Sequence, residues 1–219
     1  MIDLRLYAIV DPAQSGGFSL PVLAHAVANG GATLVQLRDK HSDTRRFIEQ
    51  ARAIKAALLS EDVPLVINDR VDVALASGAD GVHVGQDDMS VVDARRLLGP
   101  DAIIGLSIKT IAQAEAAPVE LVSYVGIGGV FATTSKDNPE PPIGVYGLAR
   151  IAGVFRKRAP KLPLVAIAGI NAKNAADVID AGADGVAVIS ALSLQADPTL
   201  AAQHLRGIVD ATIAKRGRA

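Results

Sequence analysis

Apolar residues along this chain fall into eight short, β-branched runs: Leu4 to Val10, Leu34 to Leu37, Leu65 to Ile67, Gly81 to Val84, Ile103 to Leu106, Tyr124 to Ile127, Leu164 to Ala168 and Gly185 to Ile189. Between them lie longer Ala-rich segments of helical length, so the pattern predicts strands alternating with helices. Eight such units in 219 residues is about 27 residues each, the compact end of the range for a (β/α)₈ TIM barrel. An internal echo supports this. Ser77-Gly-Ala-Asp-Gly-Val82 recurs as Ala181-Gly-Ala-Asp-Gly-Val186, with Gly30-Gly-Ala-Thr-Leu34 as a weaker copy, each placing a helix-capping glycine before a strand. The two strong copies lie about 104 residues apart, four units of about 26. An open doubly wound sheet is the alternative and accounts less well for this regularity. One α/β domain covering residues 1–219 is expected, closed by an amphipathic helix from Pro198 to Lys215, with Arg216 to Ala219 frayed.

Polar residues gather where the apolar runs end. Asn68 and Asp69 follow the third run, and Gln86, Asp87 and Asp88 follow the fourth. Adjacent parallel strands deliver such residues to one rim of the sheet, the rim where α/β folds bind ligands. In the second run, period two sets Leu34, Gln36, Arg38 and Lys40 on one face and Val35 and Leu37 on the other. The apolar face must meet the helices, so Gln36, Arg38 and Lys40 point inward and upward, where cations call for an anion. An internal salt bridge of Arg38 or Lys40 with Asp69 or Asp88 is the competing account. Taken singly, Asp69 reads first as an N-cap for a helix starting near Val71, and Asp88 can likewise cap the helix after Ser90. As a pair beside a cationic strand, however, they suit Mg²⁺ bridging to a phosphate-bearing substrate. His83 sits mid-strand and reads more readily as a hydrogen-bonded core histidine than as a catalyst.

Composition narrows the chemistry. The 22 basic and 23 acidic residues nearly cancel and aromatics make up 3%, which leaves neither a polyanion-binding surface nor a base-stacking platform, so nucleic acid is not an expected partner. With no cysteine there is no disulfide, thiolate metal site or cysteine nucleophile. The N-terminal apolar run is too short for a signal peptide or membrane span, and the expectation is a cytoplasmic protein without membrane contact. Half the residues are hydrophobic and mean hydropathy is +0.31, enough for a sizeable core.

The later strand ends carry small and hydroxylated residues. Gly105 and Ser107 share a face of strand five, where small side chains leave room for a ligand or simply fill the barrel. Strand six runs into Phe131-Ala-Thr-Thr-Ser-Lys136, whose hydroxyls and ammonium suit phosphate oxygens. Residues 137–143 are too proline-rich for helix or central strand and are expected to be an exposed loop, a candidate lid. Strands seven and eight end in Ala168-Gly-Ile-Asn171 and Ile189-Ser-Ala191, suited to holding a phosphate monoester on backbone N–H groups.

Six motifs in order now resemble one family: Gln36-x-Arg38-x-Lys40, Asn68-Asp69-Arg70, Gly81-Val-His-Val-Gly-Gln86-x-Asp88, Gly105-x-Ser107, Thr133-x-Ser135-Lys136 and Ala168-Gly169-Ile170. Together they resemble thiamine-phosphate synthase (thiamine-phosphate pyrophosphorylase), from Leu6 to Leu192. The resemblance implies a (β/α)₈ transferase that joins hydroxymethylpyrimidine diphosphate to hydroxyethylthiazole phosphate and releases diphosphate with Mg²⁺. It implies that Gln36, Arg38, Lys40, Asn68 and Lys136 hold the pyrimidine diphosphate, and that Asp69 and Asp88 hold the metal. Ser107 then lies near the reacting methylene, and Thr133, Ser135, Gly169, Ile189 and Ser190 hold the thiazole phosphate. Arg38, Lys136 and Ser107 are the residues expected to carry catalysis. Gly129 and Ala132 stand where the family usually has proline, Ser135 where it has threonine and Ala168 where glycine is common, while residues 137–143 form a longer segment. A thiazole tautomerase paralogue and a ligand sensor on the same barrel are the rival readings; retention of Arg38, Lys40, Asp69, Asp88 and Lys136 argues against the first, and the Asp69–Asp88 pair, which a sensor does not need, against the second. The partners implied are small phosphorylated molecules, with a homodimer as the protein assembly to consider.

Overall fold

The computed structural model describes residues 2–135 and 141–217. Eight parallel strands close into a barrel in chain order, with the last pairing back to the first. They are β1 (Leu6–Val10), β2 (Leu34–Leu37), β3 (Leu65–Asn68), β4 (Gly81–Val84), β5 (Ile103–Ile108), β6 (Tyr124–Ile127), β7 (Leu164–Ile167) and β8 (Gly185–Val188). Around them lie α1 (Leu20–Asn29), α2 (Thr44–Leu58), α3 (Val71–Ser77), α4 (Val91–Leu98), α5 (Ile111–Ala116), α6 (Gly144–Arg158), α7 (Ala175–Asp180), the single turn α8 (Ser190–Ser193) and α9 (Pro198–Arg216). The expected barrel is present, and three of its strands match the sequence boundaries residue for residue. Strand β7 stops one residue early because Ala168 takes a left-handed backbone (φ +87°), which no ladder accommodates.

Local signals explain the helices. In α2, Phe47, Ala51, Ile54 and Leu58 recur at helical spacing and are buried, while Asp43 accepts a hydrogen bond from the Arg46 N–H at 3.0 Å. Thr110 and Gln113 form a reciprocal capping box on α5. Two cores result. Val35 and Leu37 join the layer between strands and helices, whereas Leu34 joins Tyr7, Val66, Tyr124 and Val165 inside the barrel, as the period-two reading of β2 requires.

The echoed motif has a structural cause that goes beyond its glycines. Gly78 closes α3 in the left-handed conformation, but Gly30 caps α1 at φ −77° and Ala181, not Gly182, caps α7. What repeats is a two-point clamp at the N-terminal end of the barrel. Thr33, Asp80, Ser123 and Asp184 each precede an even-numbered strand. Each donates its backbone N–H to the carbonyl of Leu6, Leu65, Ile104 and Leu164 respectively at 2.7–2.8 Å. Each then accepts the N–H of that same residue on its side-chain oxygen, at 3.3, 2.8, 3.1 and 2.9 Å. Asp80 and Asp184 add ion pairs to Lys55 on α2 and Arg156 on α6, the helices that lead into the clamped strands. These residues satisfy strand-end donors that would otherwise be orphaned.

Helix α9 straps the ends of the chain together. Its Thr199 hydroxyl donates to the Ala26 carbonyl, Arg206 donates to Gly31, and Arg216 donates to the carbonyls of Ile179 and Ala183 at 2.8 and 2.7 Å and to the Asp184 carboxylate. Arg216 is therefore anchored, contrary to the expectation of a frayed end, because its guanidinium reaches carbonyls at and just beyond the end of α7 and the Asp184 carboxylate. Residues 218 and 219 lie outside the described residues.

Candidate functional site

At the C-terminal ends of the strands a cavity of about 860 Å³ opens. Gln36, Arg38, Lys40, Asn68, Asp69, Asp88, Ser107, Thr133, Ser135, Gly169, Ile189 and Ser190 all line it. Strands β2 to β5 supply one wall and the loops after β6, β7 and β8 the other, so residues far apart in sequence converge on one space. Lys136 and the following residues through 140, including much of the expected lid, lie outside the described residues. The near end of that loop is held: Ser135 accepts from the Gln14 side chain on its carbonyl at 2.5 Å, and its hydroxyl donates to the Ser190 hydroxyl at 3.1 Å. At the far end Ile143 donates to the Gly129 carbonyl at 2.8 Å.

Arg38 is paired, but with neither carboxylate the sequence pattern suggests. Its Nη1 donates to Asp11, which is 1% exposed, at the end of β1. The other Asp11 oxygen accepts the Ala13 N–H at 2.9 Å and so caps a short 3₁₀ turn over Pro12–Gln14. Asp11 was not singled out by the sequence reading. The signal was present nonetheless, since an Asp-Pro follows the first strand as other polar residues follow the third and fourth.

The Asp69 and Asp88 carboxylates are not caps. Arg70 occupies the cap position of α3 without a side-chain hydrogen bond, and Asp69, in left-handed backbone at φ +62°, turns its carboxylate to the Lys40 ammonium. Helix α4 is capped by Ser90, which accepts the Asp93 N–H at 3.1 Å, while Asp88 accepts the Gly85 N–H at 2.7 Å. The two carboxylates come within hydrogen-bonding reach of each other. Burial pushes the Asp88 carboxyl up, the adjacent Asp69 carboxylate pushes it further, and the Gly85 N–H and Lys40 oppose the shift. Such a like-charge pair is stabilised by a cation. Among the described residues no group of three or more His, Asp or Glu side chains could hold a metal, so a metal here would draw its remaining ligands from substrate and water.

Space at β5 is used differently from the expectation. A Cβ on Gly105 would lie 2.2 Å from Tyr124 Cζ and 2.4 Å from His83 Nδ1, so the missing side chain makes room for those rings and not for a ligand. His83 is the hydrogen-bonded inward histidine expected: Nδ1 lies 2.9 Å from the Tyr124 hydroxyl and Nε2 2.8 Å from Ser107 Oγ. Tyr124 in turn lies 2.8 Å from Tyr7, which accepts from the Gln36 amide. Opposite, Ala168 and Gly169 both have positive φ. A Cβ on Gly169 would meet the Ala132 carbonyl at 2.5 Å, because the loops after β6 and β7 pack backbone to backbone. At Ala168 a glycine would relieve a strain of order 1 kcal/mol.

The family model described as thiamine monophosphate synthase matches residues 6–192. A thiamine-phosphate synthase of Agrobacterium fabrum is 51% identical over 98% of this chain and 98% of its own length. That of Chloroflexus aurantiacus is 47% identical over 97% and 95%. Among solved structures, the thiamine phosphate pyrophosphorylase from Pyrococcus furiosus superimposes with a TM-score of 0.84 at 35% identity, covering 97% of this chain and 98% of that one. No helix among the described residues is long and apolar enough to cross a membrane. Barrel, cavity and full-length likeness together place this chain in the thiamine monophosphate synthase family.

Proposed function

We propose that this chain is a thiamine-phosphate synthase that joins hydroxymethylpyrimidine diphosphate to hydroxyethylthiazole phosphate and releases diphosphate. The observation that carries the reading is a wall of the cavity on which Arg38 and Lys40 stand beside the Asp69–Asp88 pair, facing the hydroxyls of Thr133, Ser135 and Ser190 across the same space. The first wall suits a metal-bound diphosphate and the second a phosphate monoester. Asp69 and Asp88 would hold Mg²⁺, which when bound neutralises charge on the departing diphosphate. A tautomerase or a ligand sensor needs no carboxylate pair beside two cations.

In this reading Arg38, tethered by Asp11, and Lys40, released from Asp69, stabilise the leaving diphosphate together with Lys136. Gln36 and Asn68 position its pyrimidine end, and Ser107 lies at the reacting methylene. Departure leaves a pyrimidine methylene cation that the thiazole nitrogen captures, while Thr133, Ser135, Gly169, Ile189 and Ser190 hold the thiazole phosphate. Such a step is governed by charge stabilisation and exclusion of water, and it needs no general base. The test is diphosphate release from the pyrimidine diphosphate by the purified chain, with each of thiazole phosphate and Mg²⁺ supplied or withheld. Rapid release is expected when both are present. Absence of release under that condition overturns the reading.

A further inference from the structure

We infer that a one-way hydrogen-bond relay from Gln36 through Tyr7, Tyr124 and His83 holds the Ser107 hydroxyl as a hydrogen-bond donor toward the substrate. The inference rests on the reaction proposed above, and it makes Tyr7, Tyr124 and His83 positioning residues for it. The chain of contacts crosses the barrel through five strands. Gln36 Nε2 donates to the Tyr7 oxygen, the two phenol oxygens lie 2.8 Å apart, Tyr124 lies 2.9 Å from His83 Nδ1, and His83 Nε2 lies 2.8 Å from Ser107 Oγ.

Each phenol has one proton, and buried donors are almost always satisfied, so the sense of one link dictates the next. Tyr7, 1% exposed, accepts from Gln36 and gives its proton to Tyr124. Tyr124, fully buried, has then accepted and gives its own to His83 Nδ1. A neutral imidazole that accepts on Nδ1 carries hydrogen on Nε2, which donates to Ser107 Oγ. With an acceptor site of Ser107 filled from the ring, its proton points into the cavity that the residue lines. Burial raises both phenols well above their ordinary range, which keeps both protons in place. Gly105 is part of the device, since any side chain there would occupy the position of the Tyr124–His83 contact. In this arrangement His83 is neither base nor nucleophile. If the Gln36 amide were turned over, every link would reverse, hydrogen would move to Nδ1, and Ser107 would spend its proton on the ring.

Two measurements test this. In the ligand-free protein labelled with ¹⁵N-histidine, the two-bond ¹H–¹⁵N pattern of His83 should be that of the Nε2–H tautomer. An Nδ1–H tautomer or an imidazolium at neutral pH overturns the relay, whatever the activity. In a double-mutant cycle, Tyr124→Phe should lower kcat about tenfold, the worth of one neutral hydrogen bond, with KM for the pyrimidine diphosphate changed less than about twofold. In a Ser107→Ala background it should cost nothing further. Losses that multiply in the two backgrounds overturn the relay by showing that Tyr124 acts through packing. Tyr7→Phe, run through the same cycle, serves if Tyr124→Phe does not fold. A chain without diphosphate-releasing activity would sink the functional reading while leaving the tautomer result to decide the relay.

Discussion

The two ends of the barrel both carry aspartates, and they use them in opposite ways. At the N-terminal end, Asp80 and Asp184 sit half a barrel apart and do the same work: each clamps the start of the preceding strand and pairs with a basic residue on the helix that leads into that strand. At the C-terminal end, Asp11, Asp69 and Asp88 follow no repeat. Asp11 holds an arginine, Asp69 turns to a lysine from strained backbone, and Asp88 shares space with Asp69 at a cost in ionisation. Aspartates that recur with the period of the fold serve the fold. Those that break the period line or brace the rim cavity, and in the function proposed above they serve the ligand.

The largest expected effect separates the ends most clearly. Arg38→Ala should lower the rate of diphosphate release about 10²-fold or more, since it removes a charge that stabilises the leaving group. It should also lower stability by about 2 to 4 kcal/mol, because Asp11 is left buried without its cation. Urea denaturation checks that loss. Removing both partners, as in Asp11→Asn with Arg38→Gln, should restore much of the stability and none of the activity.

Next come Asp69→Asn and Asp88→Asn. Each keeps side-chain shape and removes a charge, so each should cut the rate about tenfold or more and raise the Mg²⁺ concentration needed for half-maximal rate. Unchanged rate and Mg²⁺ dependence in both would remove the metal from this rim. Asp184→Ala inverts the pattern: a loss of about 1 to 3 kcal/mol in stability, from the Leu164 N–H and the two arginines it leaves behind, with kcat unaltered. The smallest effect belongs to Gln14→Ala, which frees the Ser135 carbonyl. KM for the thiazole phosphate should rise a few-fold, about the value of one hydrogen bond, with little change in kcat or melting temperature.

The barrel was legible because apolar runs, helix lengths and a half-barrel echo all impose it at once. The site was legible where period two could be followed past a strand end, as from Leu34 to Lys40, since backbone geometry alone then decides which side chains face inward. Pairings were not. Arg38 meets Asp11 across a β1–β2 neighbourhood that no local pattern marks, and the tyrosines meet His83 only because Gly105 lacks a side chain. Asn68, Asp69 and Asp88 could be placed at the rim from sequence, yet telling cap from ligand required knowing that Ser90 had already taken the α4 cap. The frayed-end expectation failed at Arg216 for a similar reason, as the acceptors that hold it lie at and just after the end of α7, far away in sequence.

The strap made by α9 bears on how the chain is synthesised. Ring closure joins β1 to β8, the pairing with the greatest separation along the chain, and the helix that lies across α1 and α7 to hold that seam is translated after all eight strands. Until it emerges, the nascent sheet has two unpaired edges open to other chains, and the entropy of closing so long a loop is not yet offset by the contacts that reward it. Truncation within α9 should therefore show itself first as aggregation during expression, before any loss at the distant cavity is measurable.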